Sequence, residues 1–293
     1  MAQLQNLTSY FDLSSVPFPL ALIFVSTIGA LIGSFLNVVI HRVPREESIV
    51  FPNSRCPSCG TAIRAYDNIP ILSFLILRGR CRACGVSISP RYPAIEALTA
   101  ILFGLVFLHD GLTLALPFDL VFVAALVSLI FIDAEHMILP DVITLPGFVF
   151  ALVARALVPN LYGLAFLSDG MLEGWPDWTV SLAGALFGAA IGGGSLWFMG
   201  WLWERLRGVE AMGFGDVKML FMVGAFLGWP LTILTIFLGV LSGSVVGVAL
   251  MLRQRERDMQ MLLPFGIFLG IGAIASLLVG RQIIGWYLGQ FMP

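Results

Sequence analysis

Four stretches of this chain run on without any Asp, Glu, Lys or Arg for longer than a water-soluble core requires. Residues 18–40, 179–203 and 259–280 hold none over 23, 25 and 22 positions, and residues 219–252 hold none over 34. A helix needs about 20 apolar residues to cross roughly 30 Å of hydrocarbon. Lipid offers backbone N–H and C=O groups no partner, so a crossing segment must close its hydrogen bonds within itself. The 34-residue run is too long for one crossing and contains Trp229-Pro230. Proline does not continue a helix smoothly, so two helices are expected to meet near Pro230. Weaker spans fit residues 93–108, about 112–132 and 142–158. The expected fold is an all-α polytopic membrane protein of about eight transmembrane helices. Only 12% of residues are charged, against roughly 25% in an average soluble domain, and mean hydropathy is +0.94. That excludes a disordered chain, a basic nucleic-acid-binding domain and an ordinary soluble enzyme. The first apolar run exceeds a signal-peptide core, and no Lys or Arg precedes it, which predicts a retained anchor.

The charges orient these spans. Of the 16 Lys and Arg, 14 fall in alternate connections: eight between the first two helices, three between the fifth and sixth, and three between the seventh and eighth. The intervening connections carry Asp110, Asp119, Asp169, Glu173 and Asp177. By the positive-inside rule the Arg-rich loops are cytoplasmic, so an even helix count puts both termini outside.

The first of those loops, about residues 42–92, holds the four cysteines of the chain: Cys56-Pro-Ser-Cys59 and Cys81-Arg-Ala-Cys84. Two residues between thiolates let both sulfurs face one tetrahedral ion, and Zn²⁺ accepts four at about 2.3 Å. Gly60 and Gly85 each follow a pair, where a tight turn favours positive φ. Two disulfides or free thiols are the alternative, and a reducing cytoplasm argues against the disulfides. A closed four-thiolate site has no open position, so this zinc would be structural.

Carboxylates at a membrane edge are costly and usually functional. Asp133 ends the third apolar span, and Asp216 follows Gly213-Phe-Gly215 just before the sixth. The glycines let the chain turn tightly, which would set Asp216 at a helix N-terminus, where the dipole favours negative charge. Two carboxylates sharing one water make an aspartic protease centre. The chain has no G-x-S-x-G elbow and no H-E-x-x-H helix. A plain helix end facing water is the alternative for either aspartate, and Asp141 after Pro140 reads equally as a helix cap. Lys218 suits either a phosphate anchor or a charge acting on Asp216. Gly192-Gly193-Gly194, inside a span, reads as close helix packing.

The motifs together resemble those of the type IV prepilin peptidases, bifunctional leader peptidases and N-methyltransferases of pilus and type II secretion systems. The matching segments are Gly33-Ser34-Phe35-Leu36-Asn37 through Arg42-Val-Pro44, the two CxxC pairs with Asn68-Ile-Pro70 between them, Arg91-Tyr92-Pro93 with Glu96, and Pro264-Phe265-Gly266. The family's catalytic aspartates fall on Asp133, in a D-x6-P-D setting, and on Asp216, in a G-x-G-D-x-K setting. The resemblance implies a region 1–110 of methyltransferase type with the zinc loop, and a region 111–293 carrying the peptidase. It implies cleavage of a short basic leader after Gly at the cytoplasmic face of a bacterial inner membrane. Methylation of the new N-terminal amine with S-adenosylmethionine would follow. Its partners would be prepilins or pseudopilins and the lipid bilayer, with no nucleic acid. No Rossmann fingerprint is present, so Asn37, Arg42 and Glu96, polar groups near the cytoplasmic ends of helices one and two, are the cofactor-binding candidates. For each, a structural role between helices is the alternative. Two competing readings are another G-x-G-D intramembrane protease, cutting within an apolar segment, and a proton- or cation-coupled transporter. The zinc loop disfavours the first. The edge position of both aspartates and the lack of an internal repeat disfavour the second.

Overall fold

In the computed structural model, residues 16–159, 174–208, 213–254 and 264–291 are described. The acidic residues Asp169 and Glu173 and the basic residues Arg255 and Arg257 lie outside them. Among the described residues there are helices and no strands. They are α1 (Phe18–Arg42), the short α2 (Leu72–Ile76), α3 (Arg91–Asp110), α4 (Leu116–His136), α5 (Asp141–Leu157), α6 (Asp177–Arg207), α7 (Phe214–Leu227), α8 (Trp229–Gln254) and α9 (Phe265–Phe291). Six of them, α1, α3, α4, α6, α8 and α9, are long and apolar enough to cross a membrane. The chain is a multi-pass membrane protein. Two expected spans, α5 and α7, are shorter, at 17 and 14 residues.

The chain divides into two compact units: Met1–Val38 with Val50–Leu120, and Val39–Ile49 with Val121–Pro293. In the first, α1 and α3 pack antiparallel through glycines that let the backbones nearly touch. A Cβ on Gly29 would lie 2.8 Å from the Ala100 Cα, and one on Gly33 would lie 2.7 Å from the Glu96 Cα. Ile95, Phe103, Val106 and Phe107 fill the interior beside this seam.

The second unit is built around α7. From Met219 onward its sequence is apolar around the whole circumference, the pattern of a helix enclosed by others, and every residue from Met219 to Leu227 except Phe221 is buried. At 14 residues it measures about 21 Å, and enclosure removes any need to match the lipid. Against α6 the fit is closest. A Cβ on Gly188 or on Gly224 would lie 2.2 Å from the other's carbonyl oxygen, and one on Gly193 would lie 2.2 Å from the Phe221 ring. The expected packing role thus holds for Gly192 and Gly193, whereas Gly194 faces open space. From α5, Gly147 meets Met222, and from α4 the Phe122 ring stacks on Phe226 at 4.0 Å. From α9, Gly270 lies between Ile130 and Met219. The break in the long apolar run falls at Gly228, with φ +78° and ψ 168°, and not at the proline. Pro230 is the second residue of α8, where its missing N–H leaves no bond unmade.

Candidate functional site

Asp133 lies in the last turn of α4 and Asp216 in the first turn of α7, capped by Gly213. Their relative exposures are 5% and 9%. Both belong to the second unit, and one side chain lies between the segments that carry them. Leu139, in the link between α4 and α5, sits where a Cβ on Gly215 would lie 3.0 Å from its own Cβ. A Cβ on Gly266 would lie 3.0 Å from Leu139 Cδ1 and 2.8 Å from Asp133 Oδ2. Glycine is required at 266 because the carboxylate occupies the space a side chain would take. Asp133 Oδ2 accepts a hydrogen bond from the Ile267 N–H at 3.1 Å. That N–H is in the first turn of α9, where amides have no partner inside the helix and the dipole favours an anion. Each aspartate therefore stands at a helix N-terminus, Asp216 at that of its own helix and Asp133 at that of α9.

Lys218 takes a partner that neither of its sequence readings named. Its Nζ donates to both carboxylate oxygens of Asp141, each at 2.7 Å, and lies 5.2 Å from the Phe214 ring centroid. Pro140 is the N-cap of α5, so Asp141 is a partner for Lys218 and not a cap.

The four cysteines form a metal-binding geometry in the first unit. Their sulfurs all lie within 4.8 Å of one another, and Cys56 and Cys84 Sγ are 3.8 Å apart. Four sulfurs placed tetrahedrally about 2.3 Å from one ion are about 3.8 Å apart, whereas a disulfide needs about 2.05 Å. The two halves of the loop repeat the same knuckle. Cys56 N–H donates to Thr61 C=O and Gly60 N–H to Cys56 C=O, each at 2.9 Å. Cys81 N–H donates to Val86 C=O at 2.8 Å and Gly85 N–H to Cys81 C=O at 2.9 Å. Gly60 and Gly85 take φ +68° and +71°, as the tight turn requires. A multidentate contact of Arg82 on Asp67, as short as 2.6 Å, ties the second knuckle to the turn after the first.

Of the three cofactor candidates, Asn37 and Glu96 fall on the α1–α3 seam. Asn37 Nδ2 donates to the Tyr92 carbonyl at 3.1 Å and to the Gly33 carbonyl at 3.2 Å, while its Oδ1 is buried with no hydrogen-bond partner. Glu96 is 8% exposed, and its Oε2 accepts the Ile71 N–H at 2.7 Å. Ile71 has φ +62° and ψ −50°, and Leu72 N–H reaches back to Pro70 C=O at 2.5 Å, a γ-turn centred on a β-branched residue. Such a conformation persists only where its surroundings hold it, and the Glu96 carboxylate is one such hold. Arg42 belongs to the second unit, where its Nη1 donates to the Ser48 carbonyl at 2.8 Å.

Sequence reasoning missed the parts played by three residues. Leu139 carries no polar signal. Gly266 is noticed only through the Pro264-Phe265-Gly266 motif, which says nothing of a donor to Asp133 from Ile267.

Residues 27–109 match the Bacterial Peptidase A24 N-terminal domain, and residues 120–248 match the Type IV leader peptidase family. The prepilin leader peptidase/N-methyltransferase of Pseudomonas aeruginosa is 39% identical, the match covering 92% of this chain and 94% of that protein. Proteins of the same name from Stutzerimonas stutzeri and Dichelobacter nodosus are 38% and 37% identical, covering 92% and 93% of this chain and 95% and 96% of theirs. No solved structure matches the chain.

Proposed function

The chain belongs to the prepilin leader peptidase/N-methyltransferase family, and from that premise we propose that Asp133 and Asp216 are the pair that cleaves the leader of a prepilin or pseudopilin. The observation that carries this is that both carboxylates are buried and that Leu139 packs against Gly215, next to Asp216, and against Gly266, which touches Asp133. In this reading the two carboxyl groups approach closely enough to share one proton. The ionised member takes a proton from a water held between the two, and the water attacks the scissile carbonyl. The protonated member donates to the carbonyl oxygen and stabilises the oxyanion. Collapse of the tetrahedral intermediate returns a proton to the departing amine, which becomes the N-terminus of the mature protein. The Ile267 N–H fixes Asp133 through one oxygen. The Arg-rich loops are read as cytoplasmic and the spans as eight, so the apolar substrate helix enters from lipid while its basic leader stays in the cytoplasm.

The second activity is methylation of that new amine, and residues 1–110 are read as its region. Asn37 Oδ1, a buried acceptor with no partner, and the buried Glu96 carboxylate fit a cationic group. They are the residues that would hold the methyl donor. S-adenosylmethionine, when bound, supplies an electrophilic methyl group. Cys56, Cys59, Cys81 and Cys84 are read as ligands of one structural Zn²⁺, which sets the loop that carries Ile71. Incubation of the purified protein with a prepilin, followed by mass measurement, tests both steps. The expected result is loss of the leader and a gain of one methyl group. Asp133→Asn and Asp216→Asn should each abolish cleavage in a folded protein, and retained cleavage by either sinks the assignment.

A further inference from the structure

We infer that the Lys218–Asp141 ion pair is a clasp that sets the geometry of the aspartate pair, making both residues positioning residues for leader cleavage. The inference rests on the reading of Asp133 and Asp216 as that pair. Residues 137–140 join α4, which carries Asp133, to α5, which begins at Asp141. Asp216 and Lys218 lie two apart at the start of α7. Residues i and i+2 of a helix do not face each other, so the turn that presents Asp216 to Asp133 directs Lys218 elsewhere. Lys218 goes to Asp141, with both carboxylate oxygens 2.7 Å from Nζ. Two short segments, 133–141 and 215–218, are thereby joined at two points: by Leu139 against Gly215 and by Asp141 on Lys218. The first of these is an apolar contact with little directional preference. The second fixes the link end to end.

The link itself needs holding. Met137 has φ +53°, a left-handed conformation that a methionine seldom adopts. Released at its Asp141 end, the link has an incentive to relax, and it carries Leu139 away from Gly215 as it does so. The pair is also partly exposed, with side-chain accessibilities of 26% for Lys218 and 55% for Asp141. An ion pair that exposed contributes little to global stability, so its removal should be read in catalysis and not in folding.

The test uses the full-length protein in detergent and a full-length prepilin, with rates normalised to folded protein from thermal unfolding. Lys218→Met and Asp141→Asn should each lower kcat for cleavage about tenfold with KM within about twofold of the parent. The double variant should lose no more than either single one, since both break the same contact. Lys218→Arg, which keeps the charge and the reach, should recover most of the rate. Methylation of an already cleaved substrate should not change. Unchanged kcat in either single variant overturns the inference. So does a change confined to KM, which would make Lys218 a docking residue, or losses that multiply in the double variant. Asp133→Asn, run in parallel, separates the two claims. If it is inactive while Lys218→Met is normal, only the clasp fails. If it still cleaves, the reading of the pair fails.

Discussion

Replacing Gly266 by alanine adds one methyl group at a known place, and the consequence can be worked through. The new Cβ would lie 2.8 Å from Asp133 Oδ2, 3.1 Å from its Cγ and 3.0 Å from Leu139 Cδ1. Comfortable contact begins near 3.5 Å, so the carboxylate must retreat by about half an ångström. It cannot do so without stretching its 3.1 Å bond from the Ile267 N–H. A misplacement of about 1 Å in a reacting group costs about 100-fold in rate, so half that distance predicts about tenfold in kcat for cleavage. Stability should move less. Overpacking costs about 1–3 kcal/mol, partly offset by up to about 1 kcal/mol from replacing glycine within a helix. Cleavage of a prepilin at saturating substrate, followed by mass, measures kcat, and thermal unfolding measures the fold. Gly200→Ala, with nothing within 4 Å of its Cβ, is the control and should behave as the parent. A Gly266→Ala protein that cleaves at the parental rate would refute the claim that Asp133 works from the position seen here.

Other outcomes follow from the packing and from the loop. Gly188→Ala places a Cβ 2.2 Å from a backbone oxygen that no rotamer change can move, so a loss of about 3 kcal/mol or more is expected in thermal unfolding. Metal analysis should find one zinc per chain, and Cys81→Ser should lower that content; a chain that purifies without metal and methylates normally would contradict the zinc reading. Glu96→Ala leaves the Ile71 N–H without its acceptor, at a cost of about 1–3 kcal/mol. It should depress methylation of a pre-cleaved substrate far more than leader cleavage, measured side by side in one preparation.

The elements legible in the sequence were those written in short-range pattern. Charge-free runs marked the helices, paired cysteines marked the metal-binding loop, the end of an apolar run marked Asp133, and the glycines before it marked Asp216. What escaped depended on how helices are rotated against one another. Ile267 meets Asp133 across 134 residues, and nothing near either residue announces the other. The helices of the second unit are apolar on most faces, so no periodicity shows which face of α9 turns toward α4. The Ile71 turn escaped for a different reason. Its backbone contradicts the preference of its own residue type, and a carboxylate 25 positions later helps hold it there. Lys218 was ambiguous because a lysine near a membrane edge has several suitable partners, and only the fold brings Asp141 within reach.

The enclosure of α7 bears on how this protein can vary over time. On the exposed apolar faces of its neighbours one aliphatic residue serves about as well as another, so drift there costs little. The residues of α7 from Met219 to Leu227, Phe221 aside, have no such side, and each is answerable to a surrounding helix. Acceptable change in that stretch must come in matched pairs, one on α7 and one on the wall that touches it, while the outer shell diverges freely.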